Sequence, residues 1–117
     1  MGVRCLIVDD NDEFLASATR LLESQGIDVV GTASTGEEAL QRTGSLDPNV
    51  VLIDVELGEE DGVELALKLR EAAPESRVVL ISAYERDEID DLVKPIRAVG
   101  FLPKRSLSAS AIAELLA

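Results

Sequence analysis

The sequence contains no histidine, no tryptophan and only one cysteine among its 117 residues. Without histidine, a His-based catalytic triad and an imidazole general base are excluded, and a zinc site is close to excluded. The lone Cys5 excludes an internal disulfide, which is typical of a reducing compartment. Aromatic residues make up 3% of the chain, so its core must be aliphatic.

Positive charge is also scarce, because 11 Lys and Arg residues stand against 23 Asp and Glu residues, a net charge of −12. Such a surface repels phosphate backbones and anionic lipid, so we expect this domain to bind neither nucleic acid nor membrane directly. The apolar stretch near the N-terminus is short, and Asp9 and Asp10 interrupt it, unlike a signal peptide or membrane span. We expect a single cytoplasmic domain over residues 1–117.

Short aliphatic runs alternate with longer amphipathic stretches along the chain. The runs predicted as strands lie at residues 5–8, 27–30, 50–53, 78–81 and 100–102. Because these runs are continuous rather than alternating, both faces of each strand should be covered, as in a parallel sheet between helix layers. Five βα units of this kind predict a three-layer α/β fold.

The amphipathic stretches predict five helices. Asn11 or Asp12 is expected to cap the first helix and Gly26 to end it, and the second helix is expected to close near Gly44. The third is expected at about residues 63–73, and the last should begin near Ser106 or Ser108. The positions expected to face inward are Phe14, Leu15, Ala18, Leu21, Leu22, Ala39, Leu40, Ile89, Leu92, Val93, Ile112, Leu115 and Leu116.

Reactive polar residues follow four of the five predicted strands. Asp9 and Asp10 follow the first, Asp54 the third, Ser82 the fourth and Lys104 the fifth. In an open parallel sheet the carboxyl ends of the strands share one edge, where ligands bind. Any one of these residues is explained as a helix cap or a solvated side chain. Neither explanation accounts for all of them at the same edge of the sheet. The pattern therefore predicts a functional site there.

These motifs together resemble the receiver domain of bacterial two-component response regulators. The resemblance covers essentially the whole chain and includes residues 51–54 with Asp61 and Gly62, residues 81–83 and residues 100–104. It implies a flavodoxin-like, doubly wound (βα)5 sheet of order 2-1-3-4-5. The Phe-Leu-Pro-Lys pattern that ends at Lys104 is most similar to receivers of regulators with helix-turn-helix output domains. A stand-alone receiver and a regulator separated from its output domain both stay open.

The resemblance implies a role for each residue of the predicted site. Asp54 is the expected phosphorylation site and nucleophile, which takes the phosphoryl group from a phosphohistidine of a sensor histidine kinase. Lys104 and Ser82 are expected to contact the phosphoryl oxygens. Mg²⁺ is the expected cofactor. Its implied ligands are Asp10 and Asp54 directly, Asp9 mainly through water, and the backbone carbonyl of Glu56.

The resemblance also implies a switch made of Ser82, Ala83 and Phe101. Ser82 would move toward the phosphoryl group, and Phe101 would turn inward to fill the vacated space. The small side chain of Ala83 leaves room for this rearrangement. This would change the face of the fourth helix, fifth strand and fifth helix that controls a downstream protein or output domain. Alternatively, Phe101 is a core aromatic residue that never moves. Whether phosphorylation produces a homodimer is left open by the sequence.

Two other functions compete with this interpretation. The sequence Asp54-Val55-Glu56 is similar to that of aspartyl-nucleophile phosphatases and phosphotransferases, but these usually have a second Asp where Glu56 stands, and a substrate-binding insert. The second competing function is that of a receiver-like interaction scaffold that is never phosphorylated. We expect a signalling domain that catalyses only its own phosphorylation and dephosphorylation, the latter tuned by Glu56 and Tyr84.

Overall fold

A parallel five-stranded sheet forms the centre of the computed structural model, which describes residues 2–83 and 100–116. The strands are β1 (Arg4–Val8), β2 (Asp28–Ala33), β3 (Val50–Asp54), β6 (Arg77–Ser82) and β7 (Gly100–Pro103). Their order in the sheet is β2-β1-β3-β6-β7, which confirms the order expected for the five predicted strands. Two short strands, β4 (Glu56–Leu57) and β5 (Glu60–Asp61), form a separate antiparallel hairpin.

Helices cover both faces of this sheet, as predicted. They are α1 (Asp12–Ser24), α2 (Gly36–Leu46), α3 (Gly62–Ala72) and α4 (Ala109–Leu116), and a 3-10 turn spans Lys104–Ser106. α1 and α4 pack on one face and α2 and α3 on the other, which gives the three-layer architecture. The helix predicted around Ile89, Leu92 and Val93 lies outside the described residues. None of the helices described here is long and apolar enough to span a membrane.

Successive residues of the central strands supply the two cores alternately. Cys5 and Ile7 of β1 pack with α1 and α4, whereas Leu6 and Val8 pack with α2 and α3. All four side chains are fully buried. Burial of such an aliphatic side chain contributes about 1.5–3 kcal/mol, and this is why continuous aliphatic runs mark these strands. The rigid sheet fixes the positions of the residues at the strand ends.

Local capping sets most of the helix ends, with a few differences from the prediction. The Asn11 side chain accepts a hydrogen bond from the Phe14 amide at 3.1 Å and begins α1. α2, expected to close near Gly44, continues two residues further to Leu46 and ends where Asp47 adopts a left-handed conformation with φ of 48°.

Among the described residues, two of the predicted inward positions are wrong, whereas Ile89, Leu92 and Val93 lie outside the described part of the chain. Leu21 and Leu40 are 40% and 36% exposed, because they lie at the margins of the buried faces of α1 and α2.

Candidate functional site

The carboxyl edge of the sheet brings together the acidic residues singled out in the sequence. Asp9 directly follows β1, Asp10 comes next, and Asp54 is the last residue of β3. One carboxylate oxygen from each lies within 4.8 Å of the other two. Asp9 and Asp54 are buried, whereas Asp10 is exposed at the rim. The parallel pairing of β1 with β3 places these side chains together although 44 residues separate Asp10 from Asp54.

Lys104 completes the cluster from the end of β7. Its Nζ lies 2.6 Å from Asp9 Oδ2 and donates a hydrogen bond to Asp54 Oδ2 at 3.2 Å. The same ammonium lies 4.4 Å from the centre of the Phe14 ring, a favourable cation–π distance. The lysine is therefore held on three sides by groups from β1, β3 and α1.

Backbone amides fix the orientation of the two buried carboxylates. Asp9 Oδ1 accepts a hydrogen bond from the Asn11 amide at 2.9 Å, and Asp54 Oδ1 accepts one from the Glu56 amide at 3.0 Å. Asp9 Oδ2 is buried and faces the Lys104 ammonium as an ion pair, but no described residue donates a well-oriented hydrogen bond to it. A buried carboxylate oxygen without a hydrogen-bond donor keeps lone pairs that can bind water or a metal ion.

Burial and neighbouring charges shift the protonation of both partners in the central ion pair. Burial raises the pKa of Asp54 from 3.8 to about 6, and the negative charge of Asp9 acts in the same direction. The hydrogen bond from the Glu56 amide and the charge of Lys104 oppose this shift. Burial would lower the pKa of Lys104, but its contacts with Asp9 and Asp54 outweigh burial and raise it. Lys104 is therefore a permanent cation at neutral pH.

The donor set fits a magnesium ion. Three carboxylates and one ammonium carry a formal net charge of −2, which a divalent cation neutralises. All three candidate ligands offer the hard oxygen atoms that Mg²⁺ prefers, and exposed Asp10 leaves room for the waters that Mg²⁺ retains. Within the described part of the chain, three carboxylates come this close together at one place, formed by Asp9, Asp10 and Asp54.

The segment after Asp54 forms the β4–β5 hairpin. Gly58 adopts φ of 60° at its turn, and a Cβ added there would lie 3.4 Å from Asp10 Oδ2. At the end of the hairpin, a Cβ on Gly62 would lie 1.9 Å from the Asp54 carbonyl oxygen. The left-handed φ favours glycine at position 58, whereas Gly62 lets the backbone pass the Asp54 carbonyl where no side chain fits.

The residues of the predicted switch occupy the neighbouring strands. Ser82 ends β6 and is 1% exposed, and its register partner in β7 is Pro103. Phe101 is 5% exposed and packs in the core beneath α3, whereas Ala83 is exposed after the end of β6. Tyr84, expected near the mouth of the site, lies outside the described residues.

Two residues that the sequence did not single out contribute to this region. Phe14 was expected only on the apolar face of α1, but the first turn of that helix begins beside the acidic pair, and its ring lies against the Lys104 ammonium. Glu60 is the second, because its carboxylate accepts hydrogen bonds from the Gly36 amide. The sequence signal for Glu60 was its place in a segment of only six residues between Asp54 and the cap of α3, which is too short to remain far from the site.

Comparisons with known proteins agree with this geometry. The sequence profile of the response regulator receiver domain matches residues 5–116. The chain is 36% identical over 103 residues to response regulator GacA of Pseudomonas viridiflava, a match that covers 87% of this chain and 48% of that protein. The chain thus spans about half the length of the curated relatives it matches.

Solved structures give the same result. The signal receiver domain of the response regulator NarL from Mycobacterium tuberculosis superposes with a TM-score of 0.83 at 32% identity, covering 98% of this chain and 94% of that one. A response regulator from Burkholderia pseudomallei, solved with a phosphorylated aspartic acid and a calcium ion, gives a TM-score of 0.83 at 26% identity. That match covers 97% of this chain and 66% of the other.

Proposed function

Because the chain belongs to the response regulator receiver family, we propose that it accepts a phosphoryl group on Asp54 from a sensor histidine kinase and transmits the change to a partner. The observation that carries this proposal is the meeting of Asp9, Asp10 and Asp54 within 4.8 Å, with the Lys104 ammonium against two of them. We further propose that residues 1–117 form one receiver domain.

Asp54 acts as the nucleophile in this proposal. One of its carboxylate oxygens forms a bond to phosphorus, the bond from phosphorus to the donor histidine nitrogen breaks, and that nitrogen keeps the electron pair. The Glu56 amide holds the carboxylate in a fixed orientation, so little reorientation precedes attack. A pKa of about 6 keeps Asp54 mostly ionised at neutral pH, as a nucleophile requires.

Charge compensation is the second requirement, because the attacking carboxylate and the phosphoryl group are both anionic. Lys104 lies 3.2 Å from Asp54 Oδ2, where its ammonium also neutralises a phosphoryl oxygen bound to that carboxylate. Ser82, at the end of the neighbouring strand, supplies a hydroxyl donor for another oxygen.

Mg²⁺ would be held by Asp10 and Asp54, by Asp9 mainly through water, and by the Glu56 carbonyl. When bound, it supplies positive charge that offsets the repulsion between the carboxylate and the incoming phosphoryl group. The phosphorylated aspartic acid and calcium ion of the Burkholderia pseudomallei relative support this arrangement.

The signal in this proposal passes through Ser82, Ala83 and Phe101 to the surface around β7 and α4. Ser82 and Phe101 lie on adjacent strands, so a displacement of one changes the packing available to the other. The proposed receiver of that signal is a downstream protein or an output domain, since the GacA relatives are about twice as long as this chain.

Phosphorylation by a small-molecule donor tests this function without knowledge of the kinase. The protein is incubated with acetyl phosphate and Mg²⁺, and its intact mass is measured. We expect one added phosphoryl group in the wild-type protein and in Asp28→Asn, and none in Asp54→Asn. Asp28 is a matched control because it is an exposed carboxylate at the opposite edge of the sheet. An unchanged wild-type mass, together with no response to Mg²⁺ or beryllium fluoride, would favour the scaffold interpretation.

A further inference from the structure

The β4–β5 hairpin connects the acidic site to the helix layer on one side of the sheet. On its first strand, the Glu56 amide donates to Asp54 Oδ1, and Leu57 is buried in the core. At its turn, a Cβ added to Gly58 would lie 3.4 Å from Asp10 Oδ2, so the turn passes close to that carboxylate. The hairpin therefore binds one candidate metal ligand, Asp54, and lies near a second, Asp10, so its position affects the surroundings of both.

The second strand of the hairpin is tied to a different βα unit. Both carboxylate oxygens of Glu60 lie 3.1 Å from the amide nitrogen of Gly36, the first residue of α2. An anionic group is favoured at a helix N-terminus because unpaired amides and the helix dipole both attract it. Glu60 pairs with Leu57 across the hairpin, so this contact restrains the strand that carries the Glu56 amide.

Gly36 has the geometry that this contact requires. A Cβ added to Gly36 would lie 2.6 Å from Glu60 Oε1, and its next neighbour, Leu65 Cδ1, would be at an ordinary 3.5 Å. The absence of a side chain at the start of α2 is therefore what lets the Glu60 carboxylate reach the amide.

We propose that Glu60 is a positioning residue, whose contact with the Gly36 amide holds the β4–β5 hairpin against Asp10 and Asp54 and thereby tightens Mg²⁺ binding and speeds phosphorylation. This inference rests on the proposed function of Asp54. Glu60 acts through the hairpin backbone, since its own carboxylate is occupied by the α2 terminus. Outer partners of metal ligands commonly contribute about 10–100-fold to metal affinity, and exposed Glu60 belongs at the lower end of that range.

Two substitutions break the contact from opposite sides. Glu60→Ala removes the acceptor, and Gly36→Ala displaces the same carboxylate without any change in charge. Gly36→Ala should fold normally, because the displaced atom is the flexible end of a side chain and Ala is a better helix former than Gly. We expect each variant to raise the Mg²⁺ dissociation constant about tenfold, and the double variant to add little to either. Glu60→Gln keeps one acceptor oxygen and should recover part of the loss.

Glu59→Ala is the matched control, because Glu59 is the adjacent exposed carboxylate and makes no hydrogen bond or ion pair with the described residues. It tests whether loss of charge alone weakens Mg²⁺ binding. We expect a change of less than about twofold, since exposed charges are screened by solvent and salt. Thermal unfolding of every variant separates a loss of metal affinity from a loss of fold.

The readout is a Mg²⁺ titration followed by ¹H–¹⁵N NMR, with the Glu56 and Gly58 amide signals also compared in metal-free samples. Shifts of both signals in Glu60→Ala and Gly36→Ala, but not in Glu59→Ala, support the inference. Unchanged hairpin signals with wild-type Mg²⁺ affinity in either variant, or an equal loss in Glu59→Ala, would overturn it. Absence of Mg²⁺ binding by the wild-type protein would instead refute the proposed function, while the metal-free signals would still decide whether Glu60 positions the hairpin.

Discussion

Replacement of Asp54 by Asn should stabilise the metal-free domain at neutral pH, even though it destroys the proposed phosphorylation site. Asp54 is 6% exposed, and burial raises its pKa from 3.8 to about 6. Between these two values the folded protein binds a proton that the unfolded chain has lost. The free energy of unfolding therefore falls as the pH rises through this window, and the full penalty applies above about pH 6.

The size of the penalty follows from the pKa difference. The difference between 3.8 and about 6, at about 1.36 kcal/mol per pKa unit, corresponds to about 3 kcal/mol. Asn has the same shape but only one acceptor oxygen, so either the Glu56 amide or the Lys104 ammonium loses its partner, at a cost of about 1 kcal/mol. We expect Asp54→Asn to be more stable than the wild-type protein by about 2 kcal/mol at pH 7 and less stable by about 1 kcal/mol below about pH 4, where only the cost of the lost acceptor remains.

Urea unfolding followed by far-UV circular dichroism measures this difference at several pH values in the presence of EDTA. Asp28→Asn serves as the control for removal of an exposed carboxylate, and its stability should follow that of the wild-type protein. Mg²⁺ at about 100 times its dissociation constant should stabilise the wild-type protein by about 2.7 kcal/mol and Asp54→Asn much less. Equal stabilities at pH 7, or a difference that grows as the pH falls, would refute the argument from burial.

Other substitutions test the remaining contacts of the site. Lys104→Met should lower the phosphorylation rate by acetyl phosphate by about 100-fold, because one charge-compensating donor is lost; a rate near that of wild type would show that Lys104 does not contact the phosphoryl group. The same variant should lose about 3 kcal/mol in urea unfolding, because buried Asp9 loses its counter-ion. Gly62→Ala should cost more than about 3 kcal/mol by the same assay, since its Cβ would overlap the Asp54 carbonyl. Asp61→Ala should cost only about 1 kcal/mol through loss of the α3 cap, with phosphorylation retained.

The sheet and the acidic cluster were predictable from the sequence because strands buried on both faces leave a clear pattern. Continuous aliphatic runs such as residues 50–53 identify a covered strand without any knowledge of its neighbours. The residues just after such runs then share one edge by the geometry of parallel strands, so Asp54 and Asp9 were expected to meet. Caps were also predictable where a local side chain supplies the first hydrogen bond, as Asn11 does for α1.

Contacts between segments that are far apart in the sequence leave no comparable pattern in it. The local sequence around Glu60 is merely acidic, and only the packing of α2 beside the hairpin turns that carboxylate into a partner of the Gly36 amide. Phe14 had the spacing of a core residue, but the approach of β7 places it against the Lys104 ammonium. The sequence by itself determined the fold class and the chemical composition of the site, because hydrophobic periodicity and strand ends are local properties. The tertiary structure alone decided the pKa of Asp54 and the restraints on the hairpin, because burial and contacts between distant segments arise only when the layers pack.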